Sequence, residues 1–218
     1  MINLYQPRNL GRVLKLLASC ICLTVTVGII RQYEYYFPPN FGTGFLLDRH
    51  LHFWNEYWLA FYIHIIATPL ALLNGFYLTN DHLRSKSPGV HKALGRVQAI
   101  VIILLIGPSG LIMSLYASSG FWAGAGFACQ ALALMIFTVL GCVYAIRRQF
   151  AIHRLWMMRA FLTLCGAIVL RILAAVYAQS GWPQELYYPI TAWLCWLLPL
   201  ATYEALLVFR SNLTLSPR

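Results

Sequence analysis

The sequence predicts an all-α integral membrane protein, a single domain over residues 1–218 with six membrane-spanning helices. Of its 218 residues, 60% are hydrophobic and only 10% are charged, whereas about a quarter of the residues of a soluble domain are charged. The mean hydropathy is +0.67. The apolar residues fall into runs close to the ~20 residues that a helix needs to cross a bilayer. These runs are residues 12–31, 54–78, 91–116, 121–146, 153–178 and 187–209.

The first span follows a short basic segment, as the apolar part of a signal peptide does. No cleavage site of small residues comes after it, and the run ends in Ile29-Ile30-Arg31, so we expect it to be retained as a span. The second span contains three residues that are unusual in a membrane helix: Glu56, His64 and Pro69.

The remaining spans carry few polar groups, and their positions are informative. The third span opens at His91 and contains Pro108, which should kink it. The fourth span has no charged residue. The fifth span begins at His153 and holds Arg171 five turns later on the same face, about 27 Å along the axis. The sixth span contains Glu204.

The distribution of positive charge predicts the orientation. Cytoplasmic loops of membrane proteins are rich in Lys and Arg, and an arrangement with both termini in the cytoplasm places most of the 16 basic residues there. This topology also accounts for the net charge of +10 without a nucleic-acid partner, since anionic headgroups attract such loops. The inside residues are Arg8, Arg12, Lys15, Arg84, Lys86, Lys92, Arg96, Arg147, Arg148, Arg154, Arg159, Arg210 and Arg218.

Two histidines form the first candidate site. His91 and His153 begin parallel helices at the same face, and the positive end of a helix dipole keeps an imidazole neutral and able to bind a metal. Gly95, one turn after His91, allows a flat ligand to approach the backbone. The pattern suits a b-type haem with two histidine ligands, whose propionates could bind Arg96, Arg154 or Arg159.

The outer half of the bundle contains the second candidate site. His64 lies within the second span, and Arg171 is predicted at a similar depth, with Glu56 two turns from His64 on the same face. An ionisable residue inside a span is a functional candidate. This group could bind an anionic or quinone-like ligand, hold the propionates of a second haem, or relay protons. It could instead be an Arg171–Glu56 ion pair that joins two helices.

The sequence leaves other functions open, including whether the protein is an enzyme. His91, His153 and Glu204 could hold a divalent metal such as zinc or handle protons in a haem-free membrane enzyme or transporter. A structural or accessory membrane subunit is a third possibility. The lipid bilayer is the expected partner, with a quinone or a redox partner in the electron-transfer hypothesis.

Several of these residues carry a resemblance to known families. His64, His91-x-x-x-Gly95-Arg96, His153-Arg154-x-Trp156-Met157-x-Arg159 and Arg171 resemble an uncharacterised family of predicted bacterial membrane proteins, classed as a domain of unknown function. This resemblance implies a helix bundle in the bacterial inner membrane and no particular reaction. The His91-x-x-x-Gly95 pattern is also distantly similar to four-helix b-type cytochromes of the ferric-reductase kind. The fourth span has no histidine, so it departs from their two-haem pattern.

Overall fold

The fold is helical, as predicted. The computed structural model describes residues 20–21, 23–42, 44–47 and 49–215, and every regular element in these ranges is a helix. Five helical segments are long and apolar enough to cross a membrane, and they correspond to the predicted second to sixth spans. Their bounds are His50–Thr79, Pro88–Leu115, Phe121–Ile146, Phe150–Ser180 and Gln184–Phe209.

The predicted first span, residues 12–31, lies partly outside the described residues, although residues 20–21 and 23–31 are helical. The count of six spans and the cytoplasmic location of both termini therefore stay predictions. Residues 1–51 and 52–218 form two compact units. In the first unit, short turns Gln32–Tyr35 and Gly44–Leu46 precede Arg49, whose guanidinium lies 4.6 Å from the centre of the Phe45 ring.

The second unit contains the second span from His52 onward and the four spans that follow it, and the fourth span is central to the unit. This span packs against the third, fifth and sixth spans, while the second span packs against the third. Glycines allow close approach at these contacts, as expected for membrane helices. Gly126 lies against the backbone of Ala192, and Gly124 lies against the carbonyl of Ser114.

The third span is irregular near Pro108, as the sequence predicts. A regular helix, Pro88–Val101, leads into a wide turn, Ile102–Ile106, and then into a second helix, Gly107–Leu115. Proline lacks the N–H that would continue the hydrogen-bond ladder, and a wide turn is a common way for a helix to absorb such a defect.

The fifth span contains a break that the sequence did not reveal. Helix Phe150–Leu164 ends at Cys165, and helix Gly166–Ser180 continues the span. The amide of Gln130 donates a hydrogen bond to the carbonyl of Thr163, with the two atoms 3.0 Å apart. Gly166 leaves room for that amide, because a Cβ there would overlap it. The Gln130 side chain of the fourth span thus provides a hydrogen-bond donor to a backbone carbonyl at the break.

The contact of Gly124 with the third span gives a test of this packing. A Cβ on Gly124 would lie 2.7 Å from the carbonyl oxygen of Ser114, and a backbone atom cannot rotate away. We expect Gly124→Ala to lower the free energy of unfolding by about 1–3 kcal/mol through overpacking. The higher helix propensity of alanine should offset at most about 1 kcal/mol of this loss. Its thermal unfolding midpoint in detergent micelles, followed by helical circular dichroism, should fall.

Gly89→Ala is the matched control, since nothing lies within 4 Å of a Cβ at that position. Its midpoint should stay the same or rise. A Gly124→Ala variant as stable as the parent would contradict the described approach of the third and fourth spans.

Candidate functional site

His153 is held in one orientation by the fourth span. Its Nδ1 atom lies 2.8 Å from the carbonyl oxygen of Gly141. A carbonyl oxygen can only accept, so Nδ1 carries the proton and donates it, and the neutral ring keeps its lone pair on Nε2. A metal-binding histidine is typically fixed in this way by a carbonyl or carboxylate behind it. Gly141 also leaves space for Met157, one turn after His153, because a Cβ there would overlap the sulfur.

His91, the other predicted haem ligand, lies on the helix Pro88–Val101. The two imidazoles interact electrostatically, and Arg84 also acts on His91. The Nδ1 atom of His91 is buried and has no hydrogen-bond partner in the described parts of the chain. A buried polar nitrogen without a partner is costly, so this atom marks a place where another group is expected to bind.

Gly95 borders open space. No atom lies within 4 Å of the position that a Cβ on Gly95 would occupy, so packing between helices does not explain this glycine. Arg96 follows it and is exposed, and no ion pair involves Arg96 among the described residues. The space and the cation thus lie on the same helix as His91, within two turns of it.

The other two arginines predicted to bind propionates have carboxylate partners. Arg154 forms a short ion pair with Asp81, which also pairs with Arg84 at 2.9 Å. Arg159 binds the Glu204 carboxylate through two nitrogens, Nε at 2.6 Å and Nη2 at 2.9 Å.

The pair of Arg159 and Glu204 joins the fifth and sixth spans. The Arg159 guanidinium also lies 4.6 Å from the centre of the Trp156 ring, so a cation–π contact adds to the ion pair. Two parallel N–H···O bonds fix both side chains firmly. This contact gives Glu204 a structural partner that the sequence did not identify.

The predicted metal site of His91, His153 and Glu204 includes a carboxylate that is bound by Arg159. Within the described residues, no group of three or more His, Cys, Asp or Glu side chains could hold a metal ion.

The predicted outer cluster is only partly brought together. His64 Nδ1 lies 3.1 Å from Ser109 Oγ, and Arg171 is close enough to act on His64 electrostatically. The Arg171 guanidinium donates to the carbonyl of Ala167 in its own helix. Glu56 belongs to a different contact, since it accepts a hydrogen bond of 3.2 Å from the Tyr116 hydroxyl. Burial and this bond to the carboxylate raise the pKa of Tyr116.

Two amide residues of the spans were missed from the sequence. Asn74 donates to Gln98 Oε1 at 2.9 Å and to the carbonyl of Leu94 at 3.3 Å. Gln98, which is only 4% exposed, donates to the carbonyl of Ala71 at 2.9 Å. The available signal was an amide side chain within an apolar run, because a polar group in a span needs a partner in the bundle.

Comparison with known proteins identifies the family. Residues 61–207, about two thirds of the chain, match the family described as "Predicted membrane protein (DUF2306)". No curated protein matches the chain, and no solved structure does. The similarity to b-type cytochromes stays an expectation from the sequence. The resemblance to an uncharacterised membrane family is confirmed: the chain belongs to the DUF2306 family of predicted membrane proteins.

Proposed function

We propose that this protein is a membrane electron-transfer protein that binds one b-type haem, with His91 and His153 as axial ligands. The orientation of His153 carries the proposal. Its Nδ1 proton is committed to the Gly141 carbonyl, which leaves Nε2 as the nitrogen that can bind iron. His91 has a buried Nδ1 without a hydrogen-bond partner among the described residues, so its imidazole lacks a bond that a purely structural histidine would make.

The number of donors favours haem over a free divalent metal. A protein zinc site uses three or four side chains, and the described residues offer no such group. A haem iron needs only the axial ligands from the protein, because the porphyrin supplies the others. Two imidazole ligands therefore fit haem better than they fit zinc.

The surroundings of the two histidines fit a flat anionic ligand. The open space at Gly95 would admit the edge of a porphyrin beside the third span. Arg96, which has no ion pair among the described residues, provides positive charge on the same helix as His91 for a carboxylate group. Arg154 and Arg159 hold the surrounding helices through their ion pairs with Asp81 and Glu204, which would keep His153 in place.

Each residue then has a physical role in electron transfer. Bound haem supplies a one-electron centre near one face of the membrane. The Gly141 carbonyl fixes the tautomer and the orientation of the His153 ring through its hydrogen bond, and the apolar spans exclude water from the site. A quinone in the bilayer or a redox partner at the membrane surface would supply or remove the electron.

The absorption spectrum of the purified protein tests this proposal. Protein expressed with haem available should show a Soret band, with α and β bands on reduction. His91→Ala and His153→Ala should each lose these bands, because each removes an axial ligand. His82→Ala is the control, since His82 is exposed on the neighbouring helix Asp81–Lys86 and should leave the spectrum unchanged.

A colourless parent protein would contradict the haem proposal. So would a spectrum that survives both histidine substitutions, because the haem would then be bound elsewhere.

The space at Gly95 gives a second test. Gly95→Leu places a large side chain where we expect the porphyrin, so haem content per protein should fall while the unfolding midpoint of the haem-free protein is maintained. Gly89→Leu adds the same side chain on the same helix, also into open space, and should keep its haem. Equal haem content in the two variants would show that the ligand does not lie beside Gly95.

A further inference from the structure

The fifth span changes its neighbours at the break at Cys165. Helix Phe150–Leu164 packs against the second, fourth and sixth spans, whereas helix Gly166–Ser180 packs mainly against the sixth span. Among the described helices, the second half of the fifth span is therefore packed less closely against the second and fourth spans than the first half is. We call the region between helix Gly166–Ser180 and the second span the open side of the bundle.

Two polar side chains, His64 and Arg171, lie at the open side. His64 is near the midpoint of the second span, His50–Thr79, and its ring is half-buried. Arg171 is exposed and lies nine residues before Ser180, which is about 13 Å along the helix. It is close enough to act on His64 electrostatically. Both groups are therefore at a depth that belongs to the hydrocarbon core of a bilayer.

The hydrogen bonds of His64 define what its ring can bind. The Ser109 hydroxyl donates to the carbonyl oxygen of Ile106 at 3.1 Å, so the Ser109 oxygen accepts from His64 Nδ1, which lies 3.1 Å away. An imidazole within a span is expected to be neutral, because a charge there is costly, and a neutral ring with its proton on Nδ1 has a lone pair on Nε2. No described residue is hydrogen-bonded to Nε2. His64 can therefore accept a hydrogen bond from a ligand.

Arg171 has the opposite requirement. A guanidinium has several N–H donors and no acceptor, and the Arg171 group donates to the carbonyl of Ala167 through Nη1. Its other N–H groups can donate to an oxygen of a ligand. A ligand that binds both side chains must donate to His64 and accept from Arg171.

The depth of the two side chains restricts the ligand further. A phospholipid headgroup is held at the surface of the hydrocarbon core, so a ligand at the open side has to dissolve in the interior of the bilayer. The carboxylate of a fatty acid would accept from Arg171, but it has no hydrogen to donate to His64. A quinol is neutral and soluble in lipid, and each of its hydroxyl groups both donates and accepts.

We propose that the open side binds the headgroup of a quinol, whose hydroxyl donates to His64 Nε2 while an oxygen of the headgroup accepts from Arg171. Ser109 is a positioning residue, because its oxygen fixes the tautomer of His64. The use of this quinol in electron transfer rests on the proposed haem, whereas its binding at His64 does not.

A purely structural histidine is the alternative, because a hydrogen bond between membrane helices also stabilises a bundle. The two roles differ at Nε2. His64→Asn keeps an N–H group near the position of Nδ1 and removes Nε2. It should therefore preserve the bond to Ser109 and the unfolding midpoint of the ligand-free protein, while it loses the acceptor for the quinol.

Isothermal titration calorimetry tests the proposal. Decylubiquinol is titrated under argon into the full chain, which is reduced with dithionite in detergent micelles, and the heat from protein-free micelles is subtracted. The parent protein should bind the quinol saturably. It should bind the dimethyl ether of this quinol about tenfold less tightly, because the ether lacks the hydroxyl hydrogen that His64 accepts and one hydrogen bond is lost.

Three variants complete the test. His64→Asn should bind the quinol about tenfold less tightly than the parent and should no longer prefer it over the ether. Arg171→Gln should weaken the binding of both compounds. His82→Asn is the matched control, since His82 is exposed on the helix Asp81–Lys86, and it should bind as the parent does.

The proposal is overturned if the parent shows no saturable binding, or if His64→Asn keeps the preference for the quinol. It is also overturned if decanoate binds more tightly than the quinol and loses its affinity in Arg171→Gln, because the site would then belong to a fatty acid. The calorimetry does not depend on haem. A colourless protein that binds the quinol contradicts only the haem, and a haem protein that binds no quinol contradicts only this inference.

Discussion

Lipid offers no hydrogen-bond partners, so every polar atom within the spans has to be satisfied inside the bundle. Several of the described residues meet this constraint through bonds between helices. Gln98 and Asn74 join the second and third spans, Gln130 serves the broken backbone of the fifth span, and Arg159 is neutralised by Glu204. Each bond fixes the rotation of one helix against its neighbour, and together they decide which side chains face each other.

The same constraint makes buried polar atoms without a hydrogen-bond partner informative. His153 Nδ1 is hydrogen-bonded to the Gly141 carbonyl, and Nε2 is the nitrogen to which we assign the ligand. His91 Nδ1 and Thr68 Oγ1 lack partners among the described residues, although a threonine in a helix can usually bond to the preceding turn.

The sequence was sufficient for the class of fold and for the approximate position of five apolar helices. Apolar runs and charges mark spans directly, and they placed His91 and His153 near the starts of two helices, Pro88–Val101 and Phe150–Leu164. Pairing between helices depends on their rotation, which apolar periodicity does not define when a helix is apolar on all sides. Glu204 was therefore grouped with the histidines, and Glu56 with Arg171, whereas the structure pairs them with Arg159 and Tyr116. The break at Cys165 was not predicted because no proline marks it.

Electron paramagnetic resonance of the oxidised protein tests whether two histidines from different spans share one iron. Two imidazole ligands create a strong ligand field, so we expect a low-spin ferric signal in the parent protein. His153→Ala should convert any remaining iron to a high-spin signal, because one axial position is then empty or holds water. A high-spin signal in the parent, or a low-spin signal that persists in His153→Ala, would show that His91 and His153 do not share one iron.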